Sequence, residues 1–165
     1  MDEFWDLLDC NRKRIGKTHK RGEPLPKGYF HLVVRAWIIN NDDEILILRR
    51  DFSKVMFPGM WEVPSGSVMT GENSLEAIIR ETKEESGILL SSENAMLFSK
   101  YHRYNNFYDC WLFHQDFNLN DVVFQEGETF DARAVTQSTI SAMMENGEFI
   151  GRDVFTEFEL LSGII

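Results

Sequence analysis

The stretch GSVMTGENSLEAIIRETKEESGI, residues 66–88, joins a loop of small residues to a helical pattern that ends in a cluster of acids. Asn73 is a good helix cap, and Glu76 three positions later completes a pattern that resembles a capping box. Gly87 suits the position just after a helix, where the backbone turns left-handed. The stretch therefore predicts a helix over about residues 74–86.

Three carboxylates crowd the last turns of this helix. Glu81, Glu84 and Glu85 fall within one arc of roughly 100°, so we expect them to converge on one patch. Like charges one turn apart, and acids near a helix C-terminus, each destabilise a helix by about 0.2–1 kcal/mol. Arg80 can offset part of this by pairing with Glu84 one turn on and with Glu76 one turn back. A group outside the helix should therefore favour this arrangement.

A divalent cation would favour it. The loop over residues 65–71 is rich in small residues, which lets the backbone approach the helix and present a carbonyl group. Hard cations such as Mg²⁺ take carboxylate oxygens and substrate phosphate oxygens, and they keep several waters. The alternative is a solvated acidic face, which is the usual meaning of a run of charges.

The composition limits the classes of function. The chain has 165 residues, of which 43% are hydrophobic, enough for one domain with a buried core. Its net charge of -10 argues against an anionic membrane or non-specific nucleic-acid partner, because both need a basic surface. A phosphate substrate would then need a local cation. Two cysteines, Cys10 and Cys110, an acidic N-terminus and no long apolar run predict a cytoplasmic location.

Around the central helix the chain alternates between strand and helix patterns without regular order. The strand predictions cover residues 30–40 and 44–50, joined as a hairpin by a polar turn, and then residues 95–103, 105–115 and 128–135. Ser138 can cap a helix that ends at Gly147, and residues 156–161 predict a last helical turn or two. The residues before Gly28 are predicted to form a small strand or hairpin. This mixture favours the α+β class.

These residues resemble the Nudix box, whose pattern is G, five residues, E, seven residues, then R-E-U-x-E-E-x-G-U, where U is a bulky aliphatic residue. Eight positions match at the required spacing: Gly66, Glu72, Arg80, Glu81, Glu84, Glu85, Gly87 and Ile88. The one departure is Thr82 at an aliphatic position, which is modest because threonine is β-branched and close to valine in size. So many fixed positions are a much more specific signal than a cluster of acids alone.

The resemblance implies the Nudix α/β/α sandwich, in which a mixed sheet lies between helices. It implies a MutT-like pyrophosphohydrolase, acting on an acid anhydride in a phosphorus-containing compound. The substrate would be a nucleoside diphosphate derivative or a related small-molecule diphosphate, and the cofactor Mg²⁺, with Mn²⁺ as an option. We expect an N-terminal extension, residues 1–27, packed on a Nudix domain, residues 28–165. No nucleic-acid or membrane partner is expected, and a homodimer is left open.

The resemblance also assigns roles to residues. Glu81, Glu84 and Glu85 would bind metal with the Ser65 carbonyl as a further ligand, and Glu81 could instead orient or deprotonate water. Arg80 would hold the helix and loop in register. The remaining structural positions of the box are Gly66, Glu72 and Gly87.

Four residues outside the box complete the predicted site. Glu128 stands where many members of the family carry another metal ligand or base, although an exposed turn glutamate is the alternative. Arg50 and Lys54 are predicted to bind phosphate, although basic residues at a strand end are more often solvated. Trp61 is predicted to stack on a substrate base, although aromatic residues beside a sheet are usually core.

Two other functions remain open. Nearly the whole chain is similar to the Nudix branch related to isopentenyl diphosphate isomerase, whose members use a cysteine immediately before the box glycine and paired histidines ahead of the first strand. Here Ser65 takes the cysteine position, and His31 is present but Pro24 stands where the other histidine would lie. The box of those isomerases is also eroded. The other alternative is a catalytically silent binding module, which the complete set of carboxylates disfavours.

Overall fold

The computed structural model describes residues 2–150, 155–161 and 163–164. The strands are β1 (Phe4–Leu8), β2 (Arg14–Lys20), β3 (His31–Ile39), β4 (Ile45–Arg50), β5 (Trp61–Glu62), β6 (Ser65–Ser67), β7 (Ala95–Arg103), β8 (Asn106–His114) and β9 (Thr129–Val135). The helices are α1 (Ser74–Ser86), α2 (Gln137–Glu145) and α3 (Phe155–Leu161). None of the helices within the described ranges is long and apolar enough to cross a membrane.

The central sheet is mixed, with the order β5-β4-β3-β8-β7, while β6 pairs with β3 and β9 pairs with β4. Strands β3 and β8 run parallel, and the other pairs are antiparallel. One face of β3 packs with α1 through Val34 and Ile78, and the other packs with α2 and α3 through Trp37, Ile140 and Phe158. Helices therefore cover both faces, which confirms the predicted α+β sandwich.

The predicted β3–β4 hairpin is present as a turn, but its strands separate at once. They are aligned at Ile39 and Ile45, and beyond this pair β9 lies along β4 while β6 lies beside β3. The segment from β5 to β6 fills the gap, because β5 pairs with β4 and β6 with β3. This insertion brings the first residues of the box against α1.

Helix α1 has the predicted bounds and caps. The Asn73 side chain accepts hydrogen bonds from the amides of Leu75 and Glu76, both at 3.0 Å, and Glu76 accepts from the Asn73 amide at 3.0 Å. Gly87 has φ 75°, which a residue with a side chain rarely adopts.

Helix α2 begins one residue before the predicted cap. Thr136, and not Ser138, is the cap, because its hydroxyl accepts from the Thr139 amide at 3.3 Å. The predicted last turns at residues 156–161 form α3.

A closed ionic network, the α3 cluster, consists of Arg35, Trp37, Tyr101 and Glu157. Arg35 Nη1 donates to Glu157 Oε1 at 2.6 Å and lies 2.8 Å from the Tyr101 hydroxyl. Trp37 Nε1 donates to Glu157 Oε2 at 3.1 Å, and the Tyr101 hydroxyl also donates to Glu157. Glu157 is fully buried. The α3 cluster thus joins α3 to the sheet with every charge paired.

The N-terminal residues form an antiparallel hairpin of β1 and β2. Leu8 and Phe30 exchange two backbone hydrogen bonds, at 2.8 and 3.0 Å, and the Thr70 amide donates to the Phe4 carbonyl at 2.8 Å. The hairpin is thereby attached to β3 and to the box loop. The domain division at residue 28 stays a prediction.

The two cysteines differ in exposure. Cys10 is exposed in the turn of the hairpin, whereas Cys110 is buried in β8. Burial, with nearby Glu157, raises the pKa of the Cys110 thiol. The two thiols therefore differ strongly in their access to reagents.

Candidate active site

A pocket opens where β6 faces the C-terminal half of α1. It brings together most of the predicted site residues, namely Arg50, Lys54, Ser65, Gly66, Arg80, Glu81, Glu84, Glu85 and Glu128. The box loop and helix supply six of these nine, and the rest come from β4, the loop after it and the segment before β9.

Arg80 is the centre of the pocket's ionic network. Its guanidinium donates to both carboxylate oxygens of Glu72, at 2.6 and 2.9 Å, and to the Ser67 carbonyl at 3.1 Å. It also contacts Glu84 at 2.9 Å and Glu81 at 3.0 Å. Its hydrogen bond is the main reason why the pKa of the Glu72 carboxyl is lowered. Arg80 therefore ties the box loop to the helix.

The expected pairing of Arg80 with Glu76 is wrong. The Glu76 carboxylate is engaged with the Asn73 amide in the capping box, and Glu72 takes its place beside Arg80. Helical spacing predicts only partners within the helix. Glu72 lies in the loop before α1 and reaches Arg80 because the loop folds back along the helix.

Glu81 lies against the box glycine. A Cβ added at Gly66 would fall 2.0 Å from the Glu81 carboxyl carbon, so the glycine is required for space. Burial raises the pKa of Glu81 to about 7, although Arg80 opposes the shift. Glu81 can therefore gain or lose a proton near neutral pH.

Glu85 is buried beneath this site and is 7% exposed. It accepts a hydrogen bond from the Ser65 amide at 3.2 Å. Burial, and then the nearby charges of Glu62 and Glu81, raise the pKa of Glu85 well above its ordinary value. The three glutamates line one pocket, as predicted, but they differ in exposure: the Glu84 side chain is 45% exposed, whereas Glu85 is buried.

We define the pocket cluster as Glu72, Arg80, Glu81, Glu84 and Glu85. As these side chains stand, no group of three or more His, Cys, Asp or Glu residues within the described ranges is arranged to hold a metal ion. The reason is that Arg80 holds Glu81 and Glu84 while the Ser65 amide holds Glu85. The chemistry of the donors nevertheless fits a hard divalent cation, because the cluster supplies oxygen ligands and its acids outnumber its one guanidinium. Binding would require the carboxylates to turn from these partners towards a common ion.

The predicted phosphate-binding cations are already paired. Arg50 Nη1 contacts Glu62 at 2.5 Å, and Arg50 Nε donates to the Met56 carbonyl at 3.1 Å. Lys54 forms an ion pair with Glu128. An incoming phosphate would have to displace these carboxylates.

Trp61 does not reach the pocket, so its predicted contact with substrate is corrected. The side chain is 3% exposed and belongs to the hydrophobic core. The guanidinium groups of Arg49 and Arg133 lie 5.6 and 4.5 Å from its ring. Core packing and two cations therefore occupy the surfaces on which a base would stack.

Three charged residues near the site were missed from the sequence. Glu62 lies beside Arg50 and Glu85, and Glu3 and Arg21 of the N-terminal segment line the pocket. The alternation of a short strand could have placed Glu62 opposite Trp61. Nothing in the local pattern of residues 1–27 indicates that this segment reaches the box.

Comparison with known proteins gives a consistent family. A family model for the NUDIX domain matches residues 29–157. An uncharacterized Nudix hydrolase of Listeria monocytogenes is 40% identical over 149 residues, covering 90% of this chain and 88% of that protein. An isopentenyl-diphosphate Delta-isomerase of Salmonella heidelberg is 35% identical over 88 residues, which cover 53% of this chain and 49% of the isomerase. A crystal structure of a Deinococcus radiodurans protein has the same fold, with a TM-score of 0.78, 23% identity and coverage of 95% of this chain and 98% of that one.

Proposed function

The chain belongs to the Nudix hydrolase family, and we propose that it is a pyrophosphohydrolase that cleaves the diphosphate bond of a nucleoside diphosphate derivative or related small molecule with Mg²⁺. The observation that carries this proposal is the pocket cluster itself. Burial raises the pKa of two of its carboxylates, Glu81 and Glu85. Gly66 of the box loop leaves the space that the Glu81 carboxylate occupies. Such a site gains most from a ligand that brings positive charge.

The carboxylates would have two roles, metal binding and proton transfer. Glu84, Glu85 and the Ser65 carbonyl would hold the divalent cation, and Glu81 would join them or accept the proton of the attacking water. When bound, the cation neutralises diphosphate charge and lowers the pKa of water. Without metal, the pKa of Glu81 is about 7, close to the operating pH at which a general base works best.

Arg50 and Lys54 would bind the phosphate oxygens. Each would exchange a carboxylate partner, Glu62 or Glu128, for substrate, and charged groups of this kind form strong hydrogen bonds to phosphate. Glu128, released from Lys54, would be free to take part as a further ligand or base. These ion pairs would keep both cations beside the pocket until substrate replaces the carboxylates.

Isomerisation of isopentenyl diphosphate is less well supported, although part of the chain is similar to that isomerase. Ser65 stands where those enzymes carry a cysteine, and its hydroxyl lies 3.3 Å from Glu62. His31 is 8% exposed and stacks on Trp5 with ring centroids 4.1 Å apart, with His19 beside the same ring at 6.2 Å. A histidine so covered is poorly placed to meet substrate.

A substrate panel tests the proposal. It contains nucleoside diphosphates, nucleotide sugars, dinucleoside polyphosphates and isopentenyl diphosphate, with Mg²⁺ or Mn²⁺ or with a chelator. We expect metal-dependent cleavage of at least one diphosphate bond, detected by chromatography of the products. Cleavage of none, or conversion of isopentenyl diphosphate without hydrolysis, would overturn the proposal.

The remaining proposals concern the setting of the enzyme. The net charge of -10 supports a small-molecule partner in place of nucleic acid, and the two free thiols support a cytoplasmic location. We retain the division into an extension, residues 1–27, and a catalytic domain from residue 28.

A further inference from the structure

The N-terminal hairpin reaches the active site. Glu3 and Arg21 stand just beyond the last aligned pair of the hairpin, Phe4 with Lys20, and the Arg21 amide donates to the Glu3 carbonyl at 2.9 Å. Both side chains line the same pocket as the glutamates of α1. This part of the chain precedes residue 29, where the match to the family model begins. The family model therefore does not cover this charged pair.

The hairpin is held against the box loop. The Gly71 amide donates to Asp6 Oδ2 at 3.1 Å, and the Arg14 guanidinium donates to the Glu72 carbonyl. Arg14 also pairs with Asp6 at 3.3 Å. Together with the bond from the Thr70 amide to the Phe4 carbonyl beside Glu3, these contacts attach both ends of the hairpin to the loop that presents Glu72 to Arg80.

Arg21 is the pocket cation with the most exchangeable partner. Arg80, Arg50 and Lys54 have side chains that are 17–20% exposed, and they pair with carboxylates that are 10–32% exposed. The Arg21 guanidinium pairs with Glu3 at 2.5 Å, and these two side chains are 53% and 41% exposed. Ion pairs so well hydrated contribute little to stability, so a ligand can replace Glu3 easily.

The charge of Arg21 also acts on the reacting groups. It is one of the cations that lower the pKa of Glu81, after the larger effects of burial and of Arg80. Glu81 and Glu128 in turn favour the charged form of Arg21, after the larger effect of the hydrogen bond that Arg21 donates to Glu3. Arg21 therefore lies within electrostatic reach of the site where a diphosphate would sit.

We propose that Arg21 is a substrate-binding residue that exchanges Glu3 for a phosphate oxygen of the diphosphate. A guanidinium presents parallel N–H donors that match two phosphate oxygens, a geometry that lysine lacks. Glu3 orients the Arg21 side chain and competes with the substrate for it. The inference rests on the proposed function, and it adds the N-terminal hairpin to the active site.

Steady-state kinetics on the best substrate of the panel test this role. We expect Arg21→Ala to raise KM roughly 10- to 100-fold, the size of one lost charge-assisted hydrogen bond. We expect kcat to change less than about threefold, because the contact is made with substrate as well as transition state. Arg21→Lys should recover part of the loss. Lys20→Ala is the matched control, because Lys20 is the adjacent cation, pairs with Asp2 at 2.8 Å and is not among the residues that line the pocket.

Glu3→Ala separates substrate binding from a structural role. If Arg21 binds phosphate, removing its competitor leaves KM unchanged or lowers it. If the ion pair only fastens the hairpin, Glu3→Ala and Arg21→Ala raise KM alike, and that result would overturn the inference.

Calorimetric titration with inorganic pyrophosphate gives a readout that does not depend on turnover. We expect Arg21→Ala to weaken pyrophosphate binding by the same roughly 10- to 100-fold, with Lys20→Ala unchanged. Should the panel show no hydrolysis, this titration still decides the role of Arg21. The inference would be refuted if wild type is active and Arg21→Ala changes neither KM nor the affinity for pyrophosphate. The proposed hydrolase function would still stand.

Discussion

The α3 cluster and the pocket cluster both bury charge, but they balance it in different ways. In the α3 cluster one guanidinium meets one carboxylate, and Tyr101 and Trp37 supply the other donors to Glu157. In the pocket cluster Arg80 is the single cation among four glutamates, and two of these glutamates have raised pKa values. Removing an acid should therefore have opposite consequences for stability in the two clusters.

This difference in charge balance distinguishes buried charges that stabilise the fold from buried charges that await a ligand. A fully paired network leaves nothing for a ligand to satisfy, so its role is to position α3. An excess of buried acid destabilises the metal-free protein, and the cost is relieved when a cation binds or a carboxylate takes up a proton. Three substitutions test this distinction.

The largest effect is expected in the pocket, for Glu85→Gln. Loss of a buried carboxylate from the proposed metal site should lower kcat/KM by about 10³- to 10⁴-fold, or roughly 4–5.5 kcal/mol of transition-state stabilisation. The free energy of unfolding without metal should stay the same or rise, because a desolvated acid has been removed. Kinetics and urea denaturation measure the two quantities, with exposed Glu145→Gln as the control. Activity within tenfold of wild type would place the metal site elsewhere.

The next effect is expected in the α3 cluster, for Glu157→Ala. This substitution leaves the buried Arg35 guanidinium without its carboxylate, which should lower the free energy of unfolding by about 3–5 kcal/mol. Glu159→Ala, on the exposed side of the same helix, should change it by less than about 0.5 kcal/mol. Urea denaturation compares the two, and equal effects would show that the α3 cluster does not hold the helix.

The smallest effect concerns pH and Glu81. Its pKa is about 7 in the folded protein, above the unfolded value of 4.5, so its contribution to stability is full below pH 4.5 and is lost as the pH rises through 7. Relative to Glu81→Gln, metal-free wild type should therefore lose on the order of 2–3 kcal/mol between pH 5 and 8. Urea denaturation at both pH values measures the difference. Mg²⁺ should reduce this loss at pH 8. A wild type that becomes less stable relative to Glu81→Gln as the pH falls would contradict the assignment.

Local features of the fold could be predicted from sequence with good accuracy. The bounds of α1 follow from Asn73, Glu76 and Gly87, because capping depends on residues within one or two turns. Strand β7 coincides with the predicted residues 95–103, since its apolar and β-forming residues lie in one run. The family likewise follows from spacing within one continuous stretch, and the NUDIX model matches the region that contains it.

Contacts between distant segments could not be predicted in this way. Glu72 replaces Glu76 beside Arg80 because the loop folds back, and β6 separates β3 from β4 because the insertion pairs with both strands. The burial of Trp61 depends on α2 and α3, which lie far along the chain. These features arise from tertiary packing, which local periodicity does not contain.

The positions of the two thiols make the N-terminal hairpin accessible to spectroscopy. Cys10 lies exposed in the turn of the hairpin, at the opposite end from Arg21, while Cys110 is buried with a thiol of raised pKa. A maleimide dye or spin label should therefore attach selectively to Cys10 in the unaltered protein, because alkylation needs an accessible thiolate. Such a label would report, in real time, whether the hairpin shifts when a diphosphate enters the pocket.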